Sequence, residues 1–271
     1  MKKLVALTFA AAAFAGSAVA QDKLAVKGSD TLGAKMMPRL GDSYKAAGNA
    51  VTFEIEDKGS STAFTNLEAG TADIGMSSRP AKDSEIEKFA AKGQELIGHV
   101  AATDMIAVIV NESCPVDNLT LKQIEGIFTG DITDWSELGG TPGKISAYTR
   151  NEQSGTYASF QKLAMAKRDY GSNTQKMEGN EPIATEVAND KNGIGYVGKA
   201  YAKKEGVKAI SVDGVAFSSE NKDSYPIARK LWWYTIGQPE GAAKKFLDWA
   251  TGSAEAAEII SKVGFIANDV K

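Results

Sequence analysis

Residues 150–160 read RNEQSGTYASF. Arg150 stands four residues ahead of Ser154, Gly155 and Thr156, and Tyr157, Phe160, Leu163 and Ala164 then follow at the spacing of a helix's buried stripe. Two readings fit. Ser and Thr oxygens cap helices by accepting from the free amides of the first turn. The same amides, the positive end of the helix dipole, two hydroxyls and a guanidinium can instead converge on one oxyanion. A single occurrence leaves both open.

The rest of the chain repeats the pattern. Short runs at 23–27, 52–56, 72–77, 105–110, 144–149, 194–197, 208–212 and 230–236 read as strands, by alternation or as buried apolar stretches. Between them lie helical periodicities, such as Leu32, Met36, Leu40 and Tyr44, or Leu121, Ile124, Ile127 and Phe128. The alternation predicts an α/β protein with mainly parallel sheets. Gly28-Ser29-Asp30-Thr31 follows the first strand, Gly59-Ser60-Ser61-Thr62 the second, and Ser77-Ser78-Arg79 the third. The third leads through Pro80, a residue favoured in a helix's first turn, toward Ile86 and Phe89. Ligands settle at the carboxyl ends of strands in open parallel sheets, where all four turns would lie. Four hydroxyl-rich turns, two with an arginine, exceed what capping requires. Short Ser and Thr donors suit a small tetrahedral oxyanion wrapped on all sides.

Composition sets the surroundings. Met1-Lys2-Lys3, the apolar or small residues 4–16 and Ala18-Val19-Ala20 have the form of a signal peptide cut after Ala20. Residues 1–20 are therefore set aside, and the mature protein is expected to be exported, periplasmic and soluble; no other stretch approaches the length of a membrane span. Without Lys2 and Lys3, 29 of the 31 basic side chains face 34 acidic ones, a net charge of −5. That balance argues against nucleic acid or an anionic membrane as partner, so a bound anion must be held by local geometry. Cys114 is the only cysteine, which leaves stability to the core.

Taken in order, GSDTL at 28–32, KGSSTAF at 58–64, ADIGMSSRPAK at 72–82, DMIAVIVN at 104–111, LKQIEGIFTGDITDW at 121–135, RNEQSGTYASF at 150–160, NGIGYVG at 192–198 and YPIARKLWWYT at 225–235 resemble the periplasmic phosphate-binding proteins that feed ABC-type importers. The resemblance runs through nearly all of residues 23–266. It implies a type II periplasmic-binding-protein fold, two α/β lobes joined by two crossing strands with a ligand cleft between. Lobe one would comprise 21–104 plus 227–271, and lobe two 105–226. It also implies phosphate contacts at Ser29, Thr31, Ser61, Thr62, Ser78, Arg79, Arg150, Ser154, Gly155 and Thr156.

The chain departs from the pattern at one point. Some family members carry, in the third turn, an aspartate that accepts the proton of hydrogen phosphate and so rejects sulfate. Here Met76-Ser77-Ser78-Arg79 has no carboxylate. Asp30, Asp57 and Glu152 are the candidate replacements, each equally readable as a cap or surface charge.

Other conspicuous residues carry less. His99, the single histidine, is the one possible base for a Ser-His-Asp relay and reads as structural. Cys114 lacks partners for a metal site. Trp232-Trp233-Tyr234 fit a packed hinge better than a ligand wall, and the segment from Thr129 to Trp135 reads as a capped turn, with a permease-docking loop as the alternative. The expectation is a monomeric receptor, not an enzyme, that takes inorganic phosphate to an ABC permease of the inner membrane with no cofactor and no metal. The alternatives are a phosphatase-like enzyme, a sensory or adhesive module on the same scaffold, or a receptor for another tetrahedral oxyanion.

Overall fold

A computed structural model describes residues 22–270. The expected signal peptide and its cleavage after Ala20 lie outside them. The strands are β1 (Asp22–Gly28), β2 (Val51–Glu56), β3 (Ile74–Ser77), β4 (Leu96–Asn111), β5 (Asn118–Leu119), β6 (Ser146–Arg150), β7 (Thr174–Met177), β8 (Gly193–Gly198), β9 (Val207–Ala209), β10 (Ser211–Val212) and β11 (Ala228–Ile236). The helices are α1 (Asp30–Gly33), α2 (Met36–Ala46), α3 (Ser60–Glu68), α4 (Asp83–Ala90), α5 (Leu121–Thr129), α6 (Gly155–Ala164), α7 (Asn180–Asn189), α8 (Gly241–Gly252) and α9 (Ala254–Val263).

Hydrogen bonding runs in the order β2-β1-β3-β11-β4-β8-β6-β7, with β9 also on β4 and a separate pair of β5 and β10. β1 is parallel to β2 and β3, and β6 is parallel to β7 and β8. The expected parallel sheet therefore holds in two outer groups. It fails in the middle, where β11 is antiparallel to β3 and β4, and β4 to β8 and β9. The cause is topological: β4 carries the chain out of the first group, β11 brings it back, and two such strands side by side must run in opposite directions.

β4 belongs to both halves. Its residues from Leu96 to Met105 pair with β11, and those from Ile106 to Asn111 pair with β8 or β9. Here the first lobe is the half built on β1, β2, β3, β11 and the start of β4, and the second is the remainder of the sheet with its helices. Only 105–110 of β4 is legible as a strand, because LIGHVAATD holds a glycine, a histidine and an aspartate and does not alternate. The short β7 and the helix α7 also escape the pattern. In α7, NEPIATEVAN, Pro182 reads as a breaker, yet it sits in the first turn, where no amide is needed.

Burial follows from composition. Leu24, Val26, Ile74, Met76, Trp233 and Phe246 fall in one buried cluster, and Ile106, Val108, Phe128, Phe160 and Tyr196 in another. Each large side chain so buried contributes about 1.5–3 kcal/mol. Trp233 packs edge-on against Phe246, with ring centroids 6.0 Å apart, and Trp232 stacks with Tyr234, so this aromatic run packs the fold as expected of a hinge. The Thr129–Trp135 stretch is a capped turn: Gly130 ends α5 in the left-handed region, and Asp134 Oδ1 accepts from Ser136 N at 2.9 Å. Among the described residues, no helix is long and apolar enough to cross a membrane.

Candidate functional site

The first turn leaves β1 at Gly28, whose φ is +135° and whose missing side chain would overlap the Met76 carbonyl. Only glycine satisfies both conditions. The turn therefore seats Ser29 against β3, with Ser29 N donating to Met76 O at 2.9 Å. Ser29 Oγ then bonds Ser78 Oγ of the third turn. From the second lobe, Thr156 Oγ1 meets Thr31 Oγ1 at 2.9 Å. All four hydroxyls belong to buried residues. Ser29 and Ser78, 49 residues apart, thus meet within the first lobe, and Thr31 and Thr156, 125 residues apart, meet across the lobes.

The opening stretch resolves as follows. Ser154 does cap α6, accepting from Thr156 N at 3.1 Å and Tyr157 N at 3.3 Å. Its oxygen is engaged, while its hydroxyl proton is free to serve another acceptor. Gly155 lies flat against the other lobe: a Cβ there would overlap Ser60 Oγ and sit 3.2 Å from Arg79 Cγ. Arg150 is 1% exposed. Its Nη2 donates to Glu178 O at 2.8 Å, and its Nη1 lies 3.0 Å from Asp30 Oδ1 without an N–H directed at it. Among the described residues, Arg150 Nε and Nη1 have no hydrogen-bond acceptor. Buried charged donors left in that state are costly unless an acceptor fills the place.

Other expected residues lie differently. In the second turn the buried hydroxyl is Ser60, which accepts from Ser78 N at 2.9 Å; Ser61 is half-buried, with its Oγ 3.4 Å from Arg79 Nη2. Thr62 donates to Gly59 O at 2.8 Å and so closes the first turn of its own helix. Arg79 is held by Glu85 through two bonds of 2.7 Å and by Pro80 O at 3.0 Å, with its guanidinium over the Phe64 ring. Pro80 precedes α4 and takes no part in its first turn.

Of the three candidate acceptors, Asp30 reaches the cluster. It accepts from Asn180 N at 3.0 Å and Nδ2 at 2.5 Å, beside Arg150. Asp57 is half-buried in a groove at the lobe boundary, and Glu152 is exposed and paired with Lys176 at 2.7 Å.

Sequence reasoning missed Ser60, Asn180, Asp104 and Arg229. Arg229 on β11 is in register with Asp104 on β4. It donates to Asp104 Oδ2 from Nε at 3.1 Å and Nη2 at 2.8 Å, to Ser78 O from Nη1 at 3.0 Å, and to Thr156 Oγ1 from Nη2 at 3.0 Å. Asp104 also accepts from Lys199 N at 2.9 Å. Burial pushes the Asp104 carboxyl up against the pull of Arg229, and pushes the guanidinium down; the two-point geometry is that of an ion pair. The available signal was an aspartate opening the apolar DMIAVIVN and the Arg229-Lys230 pair inside YPIARKLWWYT. Asn180 had none, since α7 itself was not recognised.

The result is a water-excluded cluster of hydroxyls from both lobes beside two arginines and two carboxylates. It can hold an oxyanion by charge-assisted bonds. The single histidine, His99, pairs through Nε2 with Thr235 Oγ1 at 3.1 Å and makes no bond to these hydroxyls among the described residues. Among the described residues, no group of three His, Cys, Asp or Glu side chains is placed to hold a metal.

Residues 14–255 match the PBP superfamily domain. The phosphate-binding protein PstS of Pseudomonas aeruginosa is 33% identical over 277 residues, covering 88% of this chain and 85% of that protein. The phosphate-binding protein PstS of Bacillus subtilis is 28% identical, with 93% and 82% covered. A putative phosphate ABC transporter substrate-binding protein from Clostridium perfringens, solved with bound phosphate, superposes with a TM-score of 0.83 at 32% identity, over 92% of this chain and 100% of that one.

Proposed function

We propose, from the premise that this chain belongs to the PstS-like phosphate-binding proteins of the PBP superfamily, that it is a receptor that takes inorganic phosphate between its lobes and gives it to an ABC permease. One observation carries the reading: hydroxyls of Ser29, Thr31, Ser78 and Thr156 pair from both lobes about Arg229, and Arg150, buried beside Asp30, has two N–H groups without an acceptor. The ion would take those N–H groups, hydroxyl protons of Ser29, Thr31, Ser78, Ser154 and Thr156, and the edge of Arg229. Neither lobe holds enough donors alone, so the ion favours the form in which the lobes meet.

Binding and release require no bond to be made or broken. Of the three candidate carboxylates, Asp30 fits the acceptor of the hydrogen phosphate proton, because it alone reaches the cluster. An unprotonated oxyanion would face it with unpaired like charge. The leader-like residues 1–20 support export to the periplasm.

Calorimetry of the mature chain with phosphate, sulfate, molybdate and arsenate tests this. Tight binding of phosphate without turnover is expected. Hydrolysis of a phosphate ester would make the protein an enzyme, and silence toward all four ions would leave an interaction module.

A further inference from the structure

The lobe boundary is flanked by two grooves of opposite charge. One, of about 340 Å³, has Arg79, Lys82 and Asp83 on the first lobe and Ala158, Ser159 and Lys162 on the second. The other, of about 450 Å³, has Asp30, Asp57 and Lys58 on the first lobe and Asn151 and Glu178 on the second. The charged linings mirror each other: three cations and one anion in the first groove, three anions and one cation in the second.

We infer that the ion enters and leaves through the groove of Lys82 and Lys162. Both lysines are exposed, one from each lobe, and among the described residues neither ammonium has an ion-pair partner. The inner end of this groove lies one hydrogen bond from the site, since Ser159 Oγ donates to Ser78 O at 3.1 Å. The opposite side is latched. Asp30 accepts there from Asn180 and lies 3.0 Å from Arg150 Nη1, and Ser61 N donates to Gln153 O at 3.0 Å. An anion approaching from that side meets a net negative rim and a charged clasp. On a chain with net negative charge, a local positive mouth raises the anion's concentration beside the site, an effect of roughly 10- to 1,000-fold on association.

The inference rests on the receptor reading, and its test separates the two. Stopped-flow association of phosphate is measured on the full mature chain at low and high ionic strength, for the wild type, for Lys82→Glu with Lys162→Glu, and for Asp57→Lys with Glu178→Lys. Reversal at the basic groove is expected to slow association by roughly tenfold at low salt, converging with the wild type at high salt. The acidic-groove variant is expected to leave the rate within about twofold. Equal and opposite effects from both variants would mean that net charge alone steers the ion, and would overturn the inference.

A steric arm is independent of charge. Ala158→Trp narrows the basic groove and should slow association and dissociation together while leaving the equilibrium constant in place. Unaltered rates in both the Trp and the Glu variants would exclude this route while leaving the receptor reading intact. A wild-type chain that binds no phosphate would sink the receptor reading, and this one with it.

Discussion

Arg229 and Asp104 face each other in register on the two strands that run between the lobes, and both Nε and Nη2 of the guanidinium rest on Asp104 Oδ2. The same guanidinium reaches Ser78 of one lobe and Thr156 of the other. Removing one partner strands the other's charge in a dry interior. Arg229→Ala should therefore lower stability by about 3–5 kcal/mol. Arg229→Met with Asp104→Leu should recover much of that loss in a urea titration. It should not recover phosphate affinity, since the bonds to Ser78 and Thr156 stay lost.

Arg150→Ala should weaken phosphate binding by about 2–5 kcal/mol, the usual consequence of truncating one side of a buried charge pair. Titration calorimetry reads it directly, and an unchanged affinity would take Arg150 out of the site. Thr156→Val should produce a smaller loss, near the 1–3 kcal/mol or so of one unmet buried donor or acceptor.

Gly155→Ala tests closure itself. The added methyl meets Ser60 across the lobe boundary, while alanine suits a helix at least as well as glycine does. The expected result is an unchanged or higher melting temperature with phosphate affinity reduced roughly tenfold, about 1.4 kcal/mol. A small-angle scattering profile in saturating phosphate should show a larger radius than the wild type. Equal affinity would mean that the lobes need not meet at this point.

Asp30→Asn probes selection between ions. With no carboxylate to accept the proton of hydrogen phosphate or to repel sulfate, the phosphate-to-sulfate affinity ratio should fall by roughly tenfold or more. A preserved ratio, with phosphate still bound, assigns the acceptor role elsewhere.

Burial lowers the pKa of His99, with Asp248 pulling weakly the other way. The folded chain then binds fewer protons at this site than the unfolded chain does below the ordinary histidine value of about 6.5. The contribution of His99 is intact above that value, and stability falls as pH drops from it toward the folded value. Urea midpoints at about pH 7 and pH 5.5 should differ less in His99→Gln than in the wild type. Because the chain has one histidine, no second imidazole can mask the effect.

The order of elements and the hydroxyl turns were readable because their signals are local: a glycine, then hydroxyls, at the end of an apolar run. RNEQSGTYASF announces both its cap and its place in the cluster. Register and side-chain partnership are not local. Nothing around Arg79 reveals that Glu85 occupies it, and nothing in KGSSTAF says that Ser60 rather than Ser61 turns inward. The Arg229–Asp104 pair joins residues 125 apart and exists only once β4 and β11 are aligned. The first half of β4 was hidden for a related reason: its place is set by β11, a partner distant in the chain, and not by an alternation of its own residues.

One unbroken strand, β4, ends the sheet of the first half beside β11 and continues into the second half beside β8. From Met105 to Val110 every side chain is sealed from solvent, so this joint has no slack loop to reorder. Lobe movement about this joint would load paired strands as bending loads a leaf spring, so that each release would return the jaws to the same span.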